Sequence, residues 1–242
     1  MSKMAKLVLA CAALASFGQV AKASTISMDI VSASTLGSMT DLGLGGLTAT
    51  SSNGNNVNTG YTTSSALALN GGSLSLSSAQ VVNGSSSSYY AAPWTATTNG
   101  QTTSNYLSVY NGGTATFTLT SNAHSFALDW GSVDGSNSVT INMADGSSQT
   151  FTGSQLATLA STEQVSLTTQ GGTNWGANGS LYVAFSDNAS TIKSVVLGSG
   201  QNSFEVSDAR VSAVPLPAAL PLFGSAVVGL GAFIRRRNKK AA

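Results

Sequence analysis

From Thr114 onward, apolar residues fall on every second position of the chain. Ala115, Phe117 and Leu119 alternate with Thr114, Thr116, Thr118 and Thr120. Phe126, Leu128 and Trp130 alternate with Ala127 and Asp129, and Val139, Ile141 and Met143 with Thr140 and Asn142. A period of two sends successive side chains to opposite faces, so each run predicts a half-buried β-strand. Asp145-Gly146 supplies a tight hairpin turn, and Thr150-Phe151-Thr152 the returning strand. Leu181, Val183 and Phe185, then 191–197, then 203–206, add three more strands. Trp130 shares the phase of Phe126 and Leu128, which assigns it to the core. Ser154 to Glu163 is the best helix candidate.

The upstream part, 24–113, is rich in Ser, Thr, Gly and Asn. It holds shorter alternations, Ala66 to Leu69 and Leu74 to Leu76, with Asn70-Gly71-Gly72 and Asn111-Gly112-Gly113 as turn signals. Charged residues make up 8% of the 242-residue chain, against about 25% in an average soluble protein. Too few Glu and Lys remain to solvate helical surfaces. The expected fold is all-β, an antiparallel sandwich of jelly-roll kind in residues 24–213, with 114–213 its more clearly alternating part.

Charge is segregated along the chain. Lys3, Lys6 and Lys22 lie at the start, and Arg235, Arg236, Arg237, Lys239 and Lys240 at the end. Between them only Lys193 and Arg210 oppose nine acids, a net of −7. An acidic body repels phosphate backbones, so nucleic acid is not expected as a partner.

The two ends read as targeting segments. Lys3 and Lys6, the apolar run 7–17 and Ala21-Lys22-Ala23 before Ser24 form a signal peptide, residues 1–23, for signal peptidase. The single cysteine, Cys11, falls inside it, which leaves the mature body without a thiol. At the other end Val214-Pro215-Leu216-Pro217-Ala218 precedes an apolar, glycine-bearing stretch, 220–234, and the basic cluster 235–240. The uncharged span from Pro215 to Ile234 is near the minimum for a membrane helix, and the basic cluster marks its cytoplasmic end. Pro221 restricts a regular helix to the residues after it.

That order resembles the PEP-CTERM class of sorting tails in its VPLPA variant, here residues 214–242. Pro215-Leu216-Pro217 stands where common members carry Pro-Glu-Pro. The resemblance implies an inner-membrane intermediate in a Gram-negative bacterium and an exosortase-type transpeptidase acting near the motif. The product would then pass to the cell surface or its exopolysaccharide matrix. An ordinary single-pass anchor is the alternative. The body offers a second resemblance. Trp130-Gly131-Ser132-Val133-Asp134 with Asn137, Thr152-Gly153-Ser154 and Phe204-Glu205-Val206 are similar to an exosortase-dependent surface-protein family with a W-G-S-x-D…N pattern, a T-G-S and a closing F-E-x-D. The family implies an extracellular β-sandwich with no assigned reaction. Ser136 stands where an aromatic is common, and Ser207 where the closing acid is expected, with Asp208 one place later.

Few residues here suit catalysis. His124 is the single histidine, so a His/Cys zinc site cannot form, and no G-x-S-x-G elbow accompanies it. Glycoside hydrolysis needs two carboxylates, for which Asp129, Asp134 and Glu205 are available. Asp134 and Asn137, with the carbonyls of Gly131 or Ser132, offer oxygen ligands to calcium, although Asp134-Gly135 also reads as a plain turn. Aromatics for sugar faces are Tyr89, Tyr90, Trp94, Tyr106, Tyr110, Tyr182 and Trp175, the last in the Gly171 to Gly179 loop. The leading expectation is a non-enzymatic matrix-associated surface protein without a cofactor, and the second a lectin-like carbohydrate-binding module.

Overall fold

The computed structural model describes residues 25–49, 51–52, 65–86, 89–95, 100–120, 122–131, 133–165, 180–201 and 203–212. The signal-peptide residues, the sorting tail and Trp175 lie outside them. Among the described residues no helix is long and apolar enough to cross a membrane.

The fold is all-β. Its strands are β1 (Ser27–Ile30), β2 (Thr40–Asp41), β3 (Ser51–Ser52), β4 (Leu67–Leu69), β5 (Gly72–Asn83), β6 (Trp94–Thr95) and β7 (Gly100–Gln101). After them come β8 (Tyr106–Leu119), β9 (Ser125–Gly131), β10 (Asn137–Met143), β11 (Ser148–Thr152), β12 (Ser180–Ser186), β13 (Ile192–Ser199) and β14 (Phe204–Ser212). All but the β6–β7 pair belong to one twelve-stranded sheet with the main path β1-β12-β9-β14-β8-β13-β10-β11. Every pairing except β3 with β5 is antiparallel. The strands expected from alternation are all present. The one helix expected appears as α2 (Gly153–Thr162), and a single-turn helix, α1 (Ala33–Gly37), adds to it.

The long antiparallel β5–β8 pair joins the two halves of the sheet. The first part of β8 pairs with β14 through Val109↔Phe204, and its second part pairs with β13 through Phe117↔Val195. β5 follows β8 along both parts, with a register break between Ser77 and Ala79. The Asn111-Gly112-Gly113 signal therefore marks a corner inside one strand, where a turn between strands was expected. Gly112 has φ +73°, and a Cβ on Gly113 would sit 2.2 Å from Ser78 O. Only glycine lets the backbones approach that closely.

The sheet curls until its ends face each other, in a nearly closed, barrel-like arrangement. Phe151 on β11 meets Phe185 on β12 at 5.1 Å between ring centroids, although the two strands lie near opposite ends of the path. Phe117 and Phe126 meet at 5.4 Å. Helix α2 covers the seam between β11 and β1, burying Leu156 and Ala160. Thr152 and Gln155 form a capping box at its start. Both expected hairpin turns are present: Gly71 has φ +89° between β4 and β5, and Gly146 has φ +90° between β10 and β11.

The outward residues of β5, β8, β13, β10 and β11 line up in rows across the strands. One row runs Ser73, Thr118, Ser194, Asn142, Ser148, and the next Ser75, Thr116, Val196, Thr140, Thr150. Neither row carries a charge. Thr140 and Thr150 share a hydrogen bond of 2.8 Å, and Asn142 Nδ2 donates to Ser194 Oγ at 3.1 Å.

Candidate functional site

The motif residues converge at one end of the sheet. β14 runs beside β9, placing Glu205 opposite Gly131 and Val206 opposite Trp130. The Trp130 and Phe204 rings pack at 4.7 Å, both fully buried. A Cβ on Gly131 would fall 2.9 Å from Pro93 and 3.3 Å from Glu205 Cβ, so the glycine admits the 91–95 segment against the sheet. Gly153 has the same role beside Asp134, whose carbonyl oxygen would lie 1.7 Å from an added Cβ. Close backbone approach thus joins the T-G-S element to Asp134, while the W-G element packs against the Pro93 and Glu205 side chains.

Asp134 and Asn137 face different partners within this corner. Asp134 Oδ1 accepts from Ser136 N at 3.0 Å and contacts Ser136 Oγ, closing a turn in the manner typical of aspartate. Asn137 is buried; its Oδ1 accepts from Ser199 Oγ at 2.9 Å and its Nδ2 reaches Ser203 O at 3.5 Å. Glu205, also buried, accepts from Ala91 N at 3.2 Å and touches Ser203 Oγ. Among the described residues no group of three or more His, Cys, Asp or Glu side chains is placed to hold a metal ion. His124 lies at the other end of β9, its Nδ1 3.0 Å from Asp187 O. Of the aromatics suited to sugar faces, Tyr90, Tyr106, Tyr110 and Tyr182 are buried, which corrects the expectation that they are exposed. Tyr89 is exposed, and Trp94 is half-buried.

A second polar site forms where β14 bulges, around Asp129, Ser207 and Asp208, which the sequence marked singly but did not bring together. Val206 pairs with Trp130 and Ala209 with Leu128, so Ser207 and Asp208 together oppose the single residue Asp129. Such a bulge bends the strand and re-aims its side chains. Ser207 Oγ is turned onto Asp129 and donates to its Oδ2 at 2.5 Å. Asp129 is fully buried, and its Oδ1 has no hydrogen-bond partner among the described residues. Burial therefore pushes its carboxyl up to about 8; the Ser207 hydrogen bond opposes this shift and the neighbouring Asp208 adds to it.

Ser207 and Asp208 form one wall of a pocket of about 270 Å³, together with Asp41 at the end of β2 and Thr102, Thr103 and Ser104 after β7. Thr95 and Gly45 complete the lining. Arg210 fixes the acidic side: its Nε donates to Asp208 at 3.0 and 3.1 Å, and its guanidinium stands 4.0 Å from Asp41 Oδ2. Asp208 is still raised by burial, with Arg210 pulling it back down. Asp41 Oδ1 accepts from Gly43 N at 2.7 Å, and Gly43 itself has φ +81°.

No family model, curated protein or solved structure matches this chain. The chemistry of the site is set by its own atoms. Among the described residues the pocket presents hydroxyls and carboxylates, with no histidine, cysteine or lysine in its lining. Carboxylates accept hydrogen bonds and hydroxyls both accept and donate, so the pocket suits a ligand rich in donors.

Proposed function

We propose that this chain is an exported, non-enzymatic protein of the cell surface or extracellular matrix. A signal peptidase would act after Ala23, and an exosortase-type transpeptidase at the tail. The observation that carries the reading is the order of the C-terminal residues: Val214 to Ala218, an uncharged span, then Arg235 to Lys240. In this reading the 220–234 segment crosses the inner membrane transiently and presents the motif to the processing enzyme. The body is a jelly-roll-like sandwich, with the β5–β8 pair contributing to both of its layers. The curl that brings Phe151 onto Phe185 supports that description.

The uncharged hydroxyl rows on the outer face support residence in an exopolysaccharide matrix. They are compatible with neighbours that are themselves hydroxyl-rich, and they offer no cation to phosphate or anionic lipid. Cell fractionation with mass spectrometry of the mature protein tests the proposal. Truncation after Ala213 is expected to release the body into the medium and deplete it from the envelope. An intact Lys240-Ala241-Ala242 end on surface material, or an unchanged distribution of the truncated chain, overturns it.

A further inference from the structure

We infer that the pocket between the β14 bulge, the end of β2 and the 102–104 segment binds a single neutral sugar unit. Such a site deepens the matrix reading, on which it rests for the supply of a ligand, but its own test is binding alone.

The pocket has the size of a small polar ligand. About 270 Å³ is below the 300–1,000 Å³ typical of drug-sized ligands, yet it has room for one hexose residue. The lining matches as well. Thr95, Thr102, Thr103, Ser104 and Ser207 supply hydroxyls, while Asp41 and Asp208 supply acceptors on one side. Among the described residues no leucine, valine or aromatic ring lines the pocket, so an apolar ligand would leave its hydroxyls and carboxylates unpaired. A polyol, in contrast, can direct adjacent O–H groups at the two carboxylates and accept from the Thr and Ser hydroxyls opposite.

The bulge completes the site. Ser207 continues the register of Val206 and lies opposite buried Asp129, with its Oγ between Asp129 and the pocket; the extra residue of the bulge sets Asp208 beside it in the same wall. With its proton given to Asp129, Ser207 presents lone pairs to the pocket and accepts from a ligand O–H. Asp129 is thus a positioning residue behind the wall. Charge narrows the ligand class. Asp41 and Asp208 against Arg210 leave the wall net negative, which disfavours uronates and phosphorylated sugars.

The purified full-length chain should be titrated with methyl glycosides of glucose, galactose, mannose and N-acetylglucosamine, with glucuronate and glucosamine as charged comparators. Binding of at least one neutral glycoside is expected, weakened tenfold or more by Ser104→Trp, which fills the pocket from an exposed position. Thr150→Trp, on the distant hydroxyl rows, should leave that binding unchanged. Ser207→Ala should weaken binding while Ser207→Thr restores it, a rescue that a merely structural role would not give. Thermal unfolding of each variant separates loss of binding from loss of fold. No neutral glycoside bound, binding indifferent to Ser104→Trp, or binding of glucosamine alone each overturns the inference. None of these outcomes bears on where the protein is sorted, which fractionation reads separately.

Discussion

At the scale of single residues, Asp129 shows how a position's phase and its burial can part company. It lies opposite in phase to Phe126, Leu128 and Trp130, and the alternation assigns it to solvent. Its phase is indeed outward. It is nevertheless buried, because β14 bulges across it and other segments cover that face. No period in the sequence encodes such cover. Stability then depends on pH. The folded-state value of about 8 lies above the ordinary 3.8, so between these values the folded form holds a proton that the unfolded chain has released. Stability is therefore fullest below about pH 4 as far as this group is concerned, and falls as pH rises toward 8. The slope should be on the order of 1 kcal/mol per pH unit. The groups around it that carry or can take charge are Asp208 and Arg210 on β14 and Tyr182 opposite on β12. Urea unfolding at pH 5, 6.5 and 8 should show the slope in the native chain and a flatter profile in Asp129→Asn. Equal slopes would mean that Asp129 is ionised in the folded protein.

At the scale of elements, glycine positions give the sharpest expectations. Gly112→Ala places a side chain at φ +73° with nothing near it, and should cost about 1 kcal/mol. Gly113→Ala drives a Cβ onto the Ser78 carbonyl and should cost about 3 kcal/mol or prevent folding. Denaturant midpoints of the two variants check the contrast, which a simple loop turn would not produce. Thr152→Ala removes half of the capping box and should destabilise by about 1 kcal/mol. The helix, the hairpin at Gly146 and nearly every strand after Thr114 were legible, because each is set by local periodicity and turn chemistry. The corner at Gly112-Gly113 was legible only as a glycine signal. Whether such a signal ends a strand or bends it depends on which strands lie alongside, here β14 and then β13. The bulge at Ser207-Asp208 was hidden for the same reason, although it places Asp208 one position beyond where the family resemblance sets the closing acid.

At the scale of the whole molecule, the long-range pairings dominate. β1 pairs with β12, so Ser27 meets Ser186, and β2 pairs with β14, so Asp41 meets Arg210. Closing such loops is slow, and sheets built from non-local pairs fold in milliseconds to seconds. Stopped-flow refolding followed through the fluorescence of Trp130, which is buried against Phe204, should give a main phase in that range. A main phase in microseconds would contradict the pairing described.

The place of β14 in the sheet also has a mechanical meaning. It is the last strand among the described residues, held on one side by β9 and on the other by β8 and β2, and the chain leaves it toward the C-terminal residues. Tension applied through that end loads β14 along its own length. The hydrogen bonds on both of its edges are then strained together in shear, rather than opened one at a time as at an outer strand. A body tethered by its tail while its surface adheres elsewhere would resist pulling at its centre.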